Sequence, residues 1–182
     1  ATGASAMAAF ARARHERLKV LRESENRFRT LAQTASDAIV TIDEQSRIVF
    51  VNPAAEKIFG YTRDEMLGAE LTMLMPEAFR SRHEAGFARY RQTGHRNISW
   101  NSISLPGVRK DGHEIPLEIS FGEFTRNGQR FFTGIARDVT ERQHAEEALR
   151  RSREERLAEL EQVRRLIAKD LHDDVGSTLT RI

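Results

Sequence analysis

Two adjacent residues near the C-terminus, His172 and Asp173, could carry out phosphoryl chemistry. An imidazole can attack the γ-phosphate of ATP when one ring nitrogen is free and a neighbouring carboxylate holds the other. The pair is therefore the minimal arrangement for a phosphoacceptor. A His-Asp pair also occurs on solvated helix faces, so these two residues alone leave both interpretations open.

A second candidate is His83, which helical spacing places on one face with Phe79, Phe87 and Tyr90. A histidine among aromatic side chains could bind a haem iron through one nitrogen while its apolar neighbours cover the porphyrin. The alternative is a histidine that is hydrogen-bonded within the core. The pattern of residue types does not separate a haem ligand from a structural histidine.

The composition predicts one globular domain with long helices on either side. Of the 182 residues, 39% are hydrophobic and 31% are charged, and 29 basic and 27 acidic residues are closely mixed. Because no Lys/Arg block alternates with aromatic residues, we expect no direct contact with nucleic acid. The absence of cysteine excludes disulfides and iron–sulfur clusters. No apolar run reaches the roughly 18 residues of a membrane span, which predicts a cytoplasmic chain without membrane contact.

The residues between 28 and 139 alternate between strand and helix patterns. Five strands are predicted, at 38–42, 48–52, 97–105, 114–124 and 129–138, with helices at 54–59, after Thr62 and at 77–93. The sequences Lys110-Asp111-Gly112 and Asn127-Gly128 indicate hairpins, so the last three strands should be antiparallel neighbours. The predicted fold class is α+β, a five-stranded antiparallel sheet with short helices on one face.

Long helices are predicted on both sides of this domain. Residues 7–31 predict either a coiled coil or a solvated helix, with heptad-like spacing of Phe10, Leu18, Leu21 and Phe28. A second helix should run from Thr140 to the end of the chain, with a coiled-coil seam formed by Leu149, Leu160, Val163, Ile167, Leu171 and Val175. Because His172 lies far along that helix, a signal from the domain would have to change how two helices pair. Asp138 and Thr140 at the junction either relay this signal or simply cap the helix.

The middle segment resembles a PAS sensory domain. The resemblance covers residues 28–139 and rests on the order of the elements and on four motifs: Asn52-Pro53-Ala54-Ala55, Phe59-Gly60-Tyr61, Arg109-Lys110-Asp111-Gly112 and Phe132 to Arg142. It implies a ligand or cofactor cavity between the sheet and the helices, and a homodimer. The fold alone does not name the ligand.

The segment from Arg164 to Gly176 resembles the phosphoacceptor helix of bacterial sensor histidine kinases of the nitrate-sensor and DesK-like subclass. The resemblance implies that His172 carries the phosphate, that Asp173 acts as base or orienter, and that a response regulator of the LuxR/NarL type receives the phosphate. Ser177 departs from the family's phosphatase pattern, which has an amide or imidazole there. No Gly-rich nucleotide loop is present, so ATP should bind a domain beyond this chain, in a longer kinase. The predicted segments are 1–27, 28–139, 140–163 and 164–182.

The stretch around His83 resembles the oxygen-sensing haem PAS domain of FixL, through Met75-Pro76-Glu77, Arg80-Ser81-Arg82-His83 and Arg89-Tyr90. This resemblance implies haem b with His83 as proximal ligand and with Arg89 and Tyr90 near the propionates. The distal side would be lined by Ile98, Ile103, Leu117, Ile119 and Phe121. Two positions depart from the pattern: Ile103 stands where the family has an oxygen-binding arginine, and Phe121 replaces a smaller aliphatic residue.

Other ligands and another function class remain open. Trp100 could stack on a flavin, although a tryptophan on a strand is more often a packing or dimer contact. A lipid, or a tightly packed interior without a ligand, is also compatible with the sequence. The alternative to a kinase fragment is a non-catalytic module that binds a ligand or pairs subunits without haem. Phosphotransfer from His172 would separate these two functions.

Overall fold

The structure, a computed structural model, describes the backbone of residues 2–95 and 99–179 and the side chains of residues 14–20, 22–95 and 99–167. It contains five α-helices and five strands in the described residues. The helices are α1 (Thr2–Thr34), α2 (Pro53–Phe59), α3 (Arg63–Met66), α4 (Glu77–Thr93) and α5 (Thr140–Leu179), with one turn of 3-10 helix at Leu71–Leu74. The strands are β1 (Ala38–Ile42), β2 (Ile48–Val51), β3 (Ile103–Val108), β4 (Glu114–Arg126) and β5 (Gln129–Asp138).

The strands form one antiparallel sheet in the order β2-β1-β5-β4-β3. The last strand, β5, is therefore central, with β1 on one side and β4 on the other. Asn127 and Gly128 connect β4 to β5 with backbone φ angles of 52° and 79°, the left-handed conformation that a tight hairpin turn requires. The predicted five-stranded sheet and its two C-terminal hairpins are confirmed.

The core lies on one face of the sheet. Residues directly opposite each other on antiparallel strands point to the same face, and the pairs Ile42 with Phe132 and Ala38 with Ala136 are all buried. Gly107 on β3 allows close packing there, since a Cβ atom at this position would lie 2.5 Å from Leu117 and 3.2 Å from Phe59. The hydrophobic cluster is completed by Val40, Ile48, Val51, Ala55, Met66, Leu74 and Ile115.

Local sequence features begin and end α2, α3 and α4. Asn52 caps α2 and Pro53 occupies its first turn, while Gly60 ends it with φ of 77°. Thr62 and Glu65 form the reciprocal hydrogen bonds of a capping box at the start of α3. Gly94 ends α4 in the left-handed conformation.

The third strand differs from the prediction, which began it at residue 97. Within the described residues β3 begins only at Ile103, because Ser99 Oγ accepts a hydrogen bond from the Asn101 backbone and turns the chain. The segment before β3 still contacts β4: the Trp100 carbonyl accepts from the Phe121 amide at 2.9 Å, and the Asn101 carbonyl accepts from Ser120 Oγ at 2.8 Å.

Two compact units make up the chain, residues 1–139 and residues 140–182. The first contains α1 and the sheet domain, and α5 is the described part of the second. Helix α1 is continuous across residue 28, where the sequence pattern placed a segment boundary. None of the described helices contains a segment long and apolar enough to cross a membrane.

Candidate functional site

Helix α4 carries several of the predicted ligand residues, and polar contacts hold it against the turn between β1 and β2. His83 Nε2 lies 3.3 Å from Ser46 Oγ in that turn. At the other end of the helix, Arg91 donates to the Glu44 carbonyl, and Arg130 Nε of β5 donates to Glu44 Oε1 at 3.0 Å. Both ends of the helix segment 83–91 are thus fixed to the same turn.

The half-buried His83 ring stacks on Phe87, with a centroid distance of 5.7 Å and an interplanar angle of 10°. Burial lowers the pKa of His83 below its usual value, because the charged imidazolium loses solvation, and the neighbouring Glu84 carboxylate opposes this only in part. The imidazole is therefore neutral near pH 7. A neutral imidazole can accept a hydrogen bond within the fold or bind a metal ion, so both interpretations of His83 stay predictions.

An aromatic layer lies between α4 and the sheet, and it consists of Phe87, Tyr90, Trp100, Phe121 and Phe132. Phe87 meets Phe132 edge to face at 4.9 Å between centroids. Tyr90 contacts Trp100 at 5.3 Å and Phe132 at 6.0 Å, and Trp100 contacts Phe121 at 6.4 Å. Each ring touches at least one other, so the layer is continuous from the helix to the strands.

Of the pair predicted to lie near haem propionates, Tyr90 points into this layer and Arg89 is exposed. The Tyr90 hydroxyl donates to Glu123 Oε2 at 2.8 Å, so its polar end is bound to β4. A phenol placed this way anchors the C-terminal part of α4 to the sheet.

The residues predicted for the distal side share the inner face of the sheet. Ile103 lies opposite Ile119, and Leu117 and Phe121 follow on the same side of β4. Leu117 is buried, and Phe121 belongs to the aromatic layer. Ile98 lies outside the described residues. The structure therefore brings Tyr90, Ile119 and Phe121 into one apolar region, and it connects His83 to that region through Phe87.

A second site, absent from the sequence prediction, joins the beginning of the domain to its end. The side chain of Asn52 is 1% exposed and makes four hydrogen bonds. Its Oδ1 accepts from the amides of Ile39 and Ala55 at 2.9 and 3.0 Å, and its Nδ2 donates to the carbonyls of Ala32 and Asp37, both at 3.0 Å. Every hydrogen-bonding position of the amide is thus used.

Asp37 extends this network to the last strand. Its carboxylate accepts two hydrogen bonds from Arg137 of β5, at 3.0 Å from Nε and 2.9 Å from Nη2. This contact raises the pKa of Arg137, because the carboxylate stabilises the charged guanidinium. We call Ala32, Asp37, Asn52 and Arg137 the Asn52 joint. It connects the last turn of α1 to the strand that ends at Asp138.

Asp138, one of the two predicted relay residues, is bound to Arg109, which directly follows β3. Arg109 Nη2 donates to Asp138 Oδ2 at 3.0 Å, and the residue after Asp138, Val139, donates its amide to the Pro116 carbonyl of β4 at 3.1 Å. Thr140, the other predicted relay residue, begins α5. The end of β5 is therefore held by β1, by β4 and by the turn after β3, directly before the long helix.

Comparison with known proteins fits this geometry. Residues 26–139 match the family described as PAS fold. The chain belongs to the PAS family. The match ends at Val139, the residue before α5, so the PAS domain contains both the aromatic layer and the Asn52 joint.

Three relatives show where such PAS domains occur. The sensor protein FixL of Bradyrhizobium diazoefficiens is 37% identical over 148 residues, which are 81% of this chain and 28% of FixL. The cell-division control histidine kinase PdhS of Brucella ovis is 29% identical over 163 residues, which are 88% of this chain and 15% of PdhS. A crystallised domain of a sensory box sensor histidine kinase/response regulator from Geobacter sulfurreducens aligns with a TM-score of 0.53 and 28% identity, over 65% of this chain and 96% of that chain. The chain therefore contains a PAS sensor domain similar to those of histidine kinases, and it spans less than a third of the full-length relatives.

The predicted phosphoacceptor pair follows the PAS domain on α5. The helix is continuous in backbone from Thr140 to Leu179 and so includes positions 172 and 173. The side chains of His172, Asp173 and Ser177 lie outside the described residues, as do those of Leu171 and Val175. Among the residues with described side chains, no group of three or more metal-binding side chains lies close enough to hold a metal ion.

Proposed function

We propose that this chain is the sensory and phosphoacceptor part of a two-component histidine kinase. The observation that carries the proposal is the direct continuation of the PAS domain into α5, which is helical from Thr140 to Leu179. His172 lies 32 residues beyond Thr140 on that helix. At about 1.5 Å per residue this corresponds to roughly 48 Å, so the PAS domain acts on His172 through the helix rather than by contact.

The surface of α5 favours pairing with a second copy. Several of its charged side chains form ion pairs within the helix, as between Arg150 and both Glu147 and Glu154. Four of the predicted seam residues are about half exposed or more in the single chain: Leu149 53%, Leu160 63%, Val163 51% and Ile167 55%. Apolar side chains at this spacing are buried when two helices wind around each other. A homodimer through α5 would bury them, and it would bring two phosphoacceptor helices side by side.

In the proposed reaction a nitrogen of His172 attacks the γ-phosphorus of ATP. The new N–P bond forms as the P–O bond to ADP breaks, while Asp173 holds the proton of the other ring nitrogen. The phosphoryl group then passes to an aspartate of a response regulator, for which the DesK-like resemblance suggests the LuxR/NarL type. ATP would be held by a domain outside this chain, and the cytoplasm is the compartment in which these partners meet.

Phosphate labelling tests the proposal. The purified chain is mixed with [γ-³²P]ATP and a separately purified ATP-binding domain of a sensor histidine kinase. We expect acid-labile label on the chain, lost in His172→Ala and reduced in Asp173→Asn, with His144→Ala on the same helix as the control. Equal labelling of the wild type and His172→Ala would overturn the proposal and leave the non-catalytic PAS module.

Sedimentation tests the dimer. Leu160→Asp places a charge on the predicted seam and should weaken self-association at least tenfold. Ala158→Asp is the control, since Ala158 is exposed and lies two residues from Leu160, which puts it on the opposite face of the same helix. If the two substitutions weaken self-association equally, the predicted seam is not the dimer contact.

A further inference from the structure

Aromatic side chains of this PAS domain contact one another at the place where the FixL resemblance implied haem. Between α4 and the inner face of the sheet, Phe87 reaches Phe132 at 4.9 Å and Tyr90 reaches Trp100 at 5.3 Å, centroid to centroid. A flat ring system inserted between two layers must contact both at about 3.5 Å, which separates the layers by roughly 7 Å. The observed contacts are closer, so a porphyrin would have to displace these rings.

The donor set also does not fit an iron ligand. His83 has the right chemistry, since burial keeps its imidazole neutral. Its Nε2, however, is directed at Ser46 Oγ in the β1–β2 turn, and its ring is stacked flat on Phe87. To present Nε2 to a porphyrin the imidazole would have to give up both contacts.

Four of the residues predicted for the distal side offer nothing polar to a gas molecule on such an iron. Ile103 lies opposite Ile119, Leu117 and Phe121 are on the same face of β4 as Ile119, and all four side chains are apolar. Glu123, the next residue on that face of β4, accepts a hydrogen bond from the Tyr90 hydroxyl of the aromatic layer. A bound diatomic ligand would therefore meet only hydrocarbon from these four residues.

We propose that this PAS domain takes no haem and that the aromatic layer occupies the volume of the prosthetic group. His83 is then a positioning residue: it holds α4 to the β1–β2 turn and supports Phe87, the first ring of the layer. This inference rests on the proposed sensory role, because it concerns the interior of the same sensor. Its tests do not measure phosphorylation. The absence of haem can therefore be disproved while the kinase assignment stands, and the kinase assignment can be disproved while the absence of haem stands.

The first test is haem loading of the full chain. Wild type and His83→Ala are expressed with haem precursor, purified, mixed with hemin and passed through gel filtration. We expect no Soret band in the protein fraction of either, or an equally weak band in both from haem adsorbed on the surface. A stoichiometric Soret band in the wild type that disappears in His83→Ala would overturn the proposal.

The second test asks whether the layer is full. Removing the indole in Trp100→Ala should open an apolar cavity, and added indole should refill it and raise the melting temperature of the variant. The wild type should not respond to indole, and neither should Phe124→Ala, whose ring is 48% exposed. If Trp100→Ala does not fold, the same test is made with Phe121→Ala as the cavity variant and toluene as the added ligand. Equal stabilisation of the wild type, or no stabilisation of the cavity variant, would show that these rings do not fill an enclosed interior.

Discussion

The Asn52 joint and the aromatic layer stabilise the same PAS domain in different ways. At the joint, Oδ1 and Nδ2 of Asn52 each have two partners at defined distances, so Asn52 alone connects four backbone positions. In the layer, five rings meet at centroid distances of 4.9 to 6.4 Å without any ring-to-ring hydrogen bond among the contacts described. Hydrogen bonds depend on direction and fail when one partner is lost, whereas apolar packing depends mainly on volume.

The difference separates two tasks within one domain. The joint fixes how the end of α1 meets the end of β5. The layer only has to fill the space under α4, and rings of other sizes, or a ligand, could fill the same space. A PAS fold can therefore change what its interior holds without changing how its ends are connected.

Removal of the side-chain amide of Asn52 should cause the largest loss of stability among these predictions, because it breaks the Asn52 joint. Asn52→Ala removes the side-chain partner of four buried or half-buried backbone groups, although the Ala55 amide keeps the Asn52 carbonyl as a partner, and we expect a loss of about 4 kcal/mol in the free energy of unfolding. Urea denaturation measures it. Asn52→Asp has nearly the same volume but no donor for the carbonyls of Ala32 and Asp37, so it should lose at least as much. A loss below about 1 kcal/mol in both variants would mean that the joint does not hold the domain together.

The stability lost when an aromatic ring is removed should depend on how deeply that ring is buried rather than on its chemical type. Phe132 is 8% exposed and contacts two rings of α4, so Phe132→Ala should cost about 3 kcal/mol. Phe124 is on the same sheet, 48% exposed and stacked on Phe131, and Phe124→Ala should cost about 1 kcal/mol. Equal losses in thermal or urea unfolding would contradict the assignment of Phe132 to a filled interior.

The ion pair beside the joint tests whether directional contacts still matter when water reaches them. Arg109 and Asp138 are 36% and 21% exposed and lie 3.0 Å apart. A double-mutant cycle with Arg109→Ala and Asp138→Ala should give a coupling energy of about 1 kcal/mol, because partial solvation weakens the pair. A coupling energy near zero would show that Arg109 and Asp138 do not hold the turn after β3 to the end of β5.

Local features of the fold could be predicted from the sequence because their causes are local. Gly60 and Gly94 end helices where only a left-handed residue fits, and Thr62 with Glu65 forms a capping box within four residues. The two hairpins follow equally short motifs. The order of five strands with helices between them was then enough to indicate the fold class.

The parts that sequence reasoning missed depend on contacts between distant segments. Asn52 was visible as part of an Asn-Pro motif, but its carbonyl partners Ala32 and Asp37 lie 20 and 15 residues away. Arg137 and Asp37 are 100 residues apart, so no local pattern pairs them. His83 was found by helical spacing, yet its orientation is set by Ser46, which is 37 residues distant. Spacing identified the face of α4 correctly and left open what that face contacts.

The weakest expected effect comes from His83. Its ring stacks on Phe87 of the aromatic layer and is hydrogen-bonded to Ser46 in the β1–β2 turn. Its pKa is lowered in the folded chain, so between the folded value and the unfolded value near 6.5 the unfolded state binds more protons. The stability contributed by the neutral ring is therefore fully present above that unfolded value and declines as the pH falls below it. The neighbouring Glu84 carboxylate favours the charged ring and so lessens this decline.

Urea midpoints measured at about pH 7.5 and about pH 5.5 check the sign of this dependence. His83→Gln should show a smaller drop in midpoint than the wild type, because it removes the group that gains a proton on unfolding. His144→Gln, on the exposed surface of α5, should leave the drop unchanged. If His83→Gln loses as much stability on acidification as the wild type, the ring is solvated in the folded chain. The packing of α4 against the aromatic layer would then be looser than the stacking on Phe87 implies.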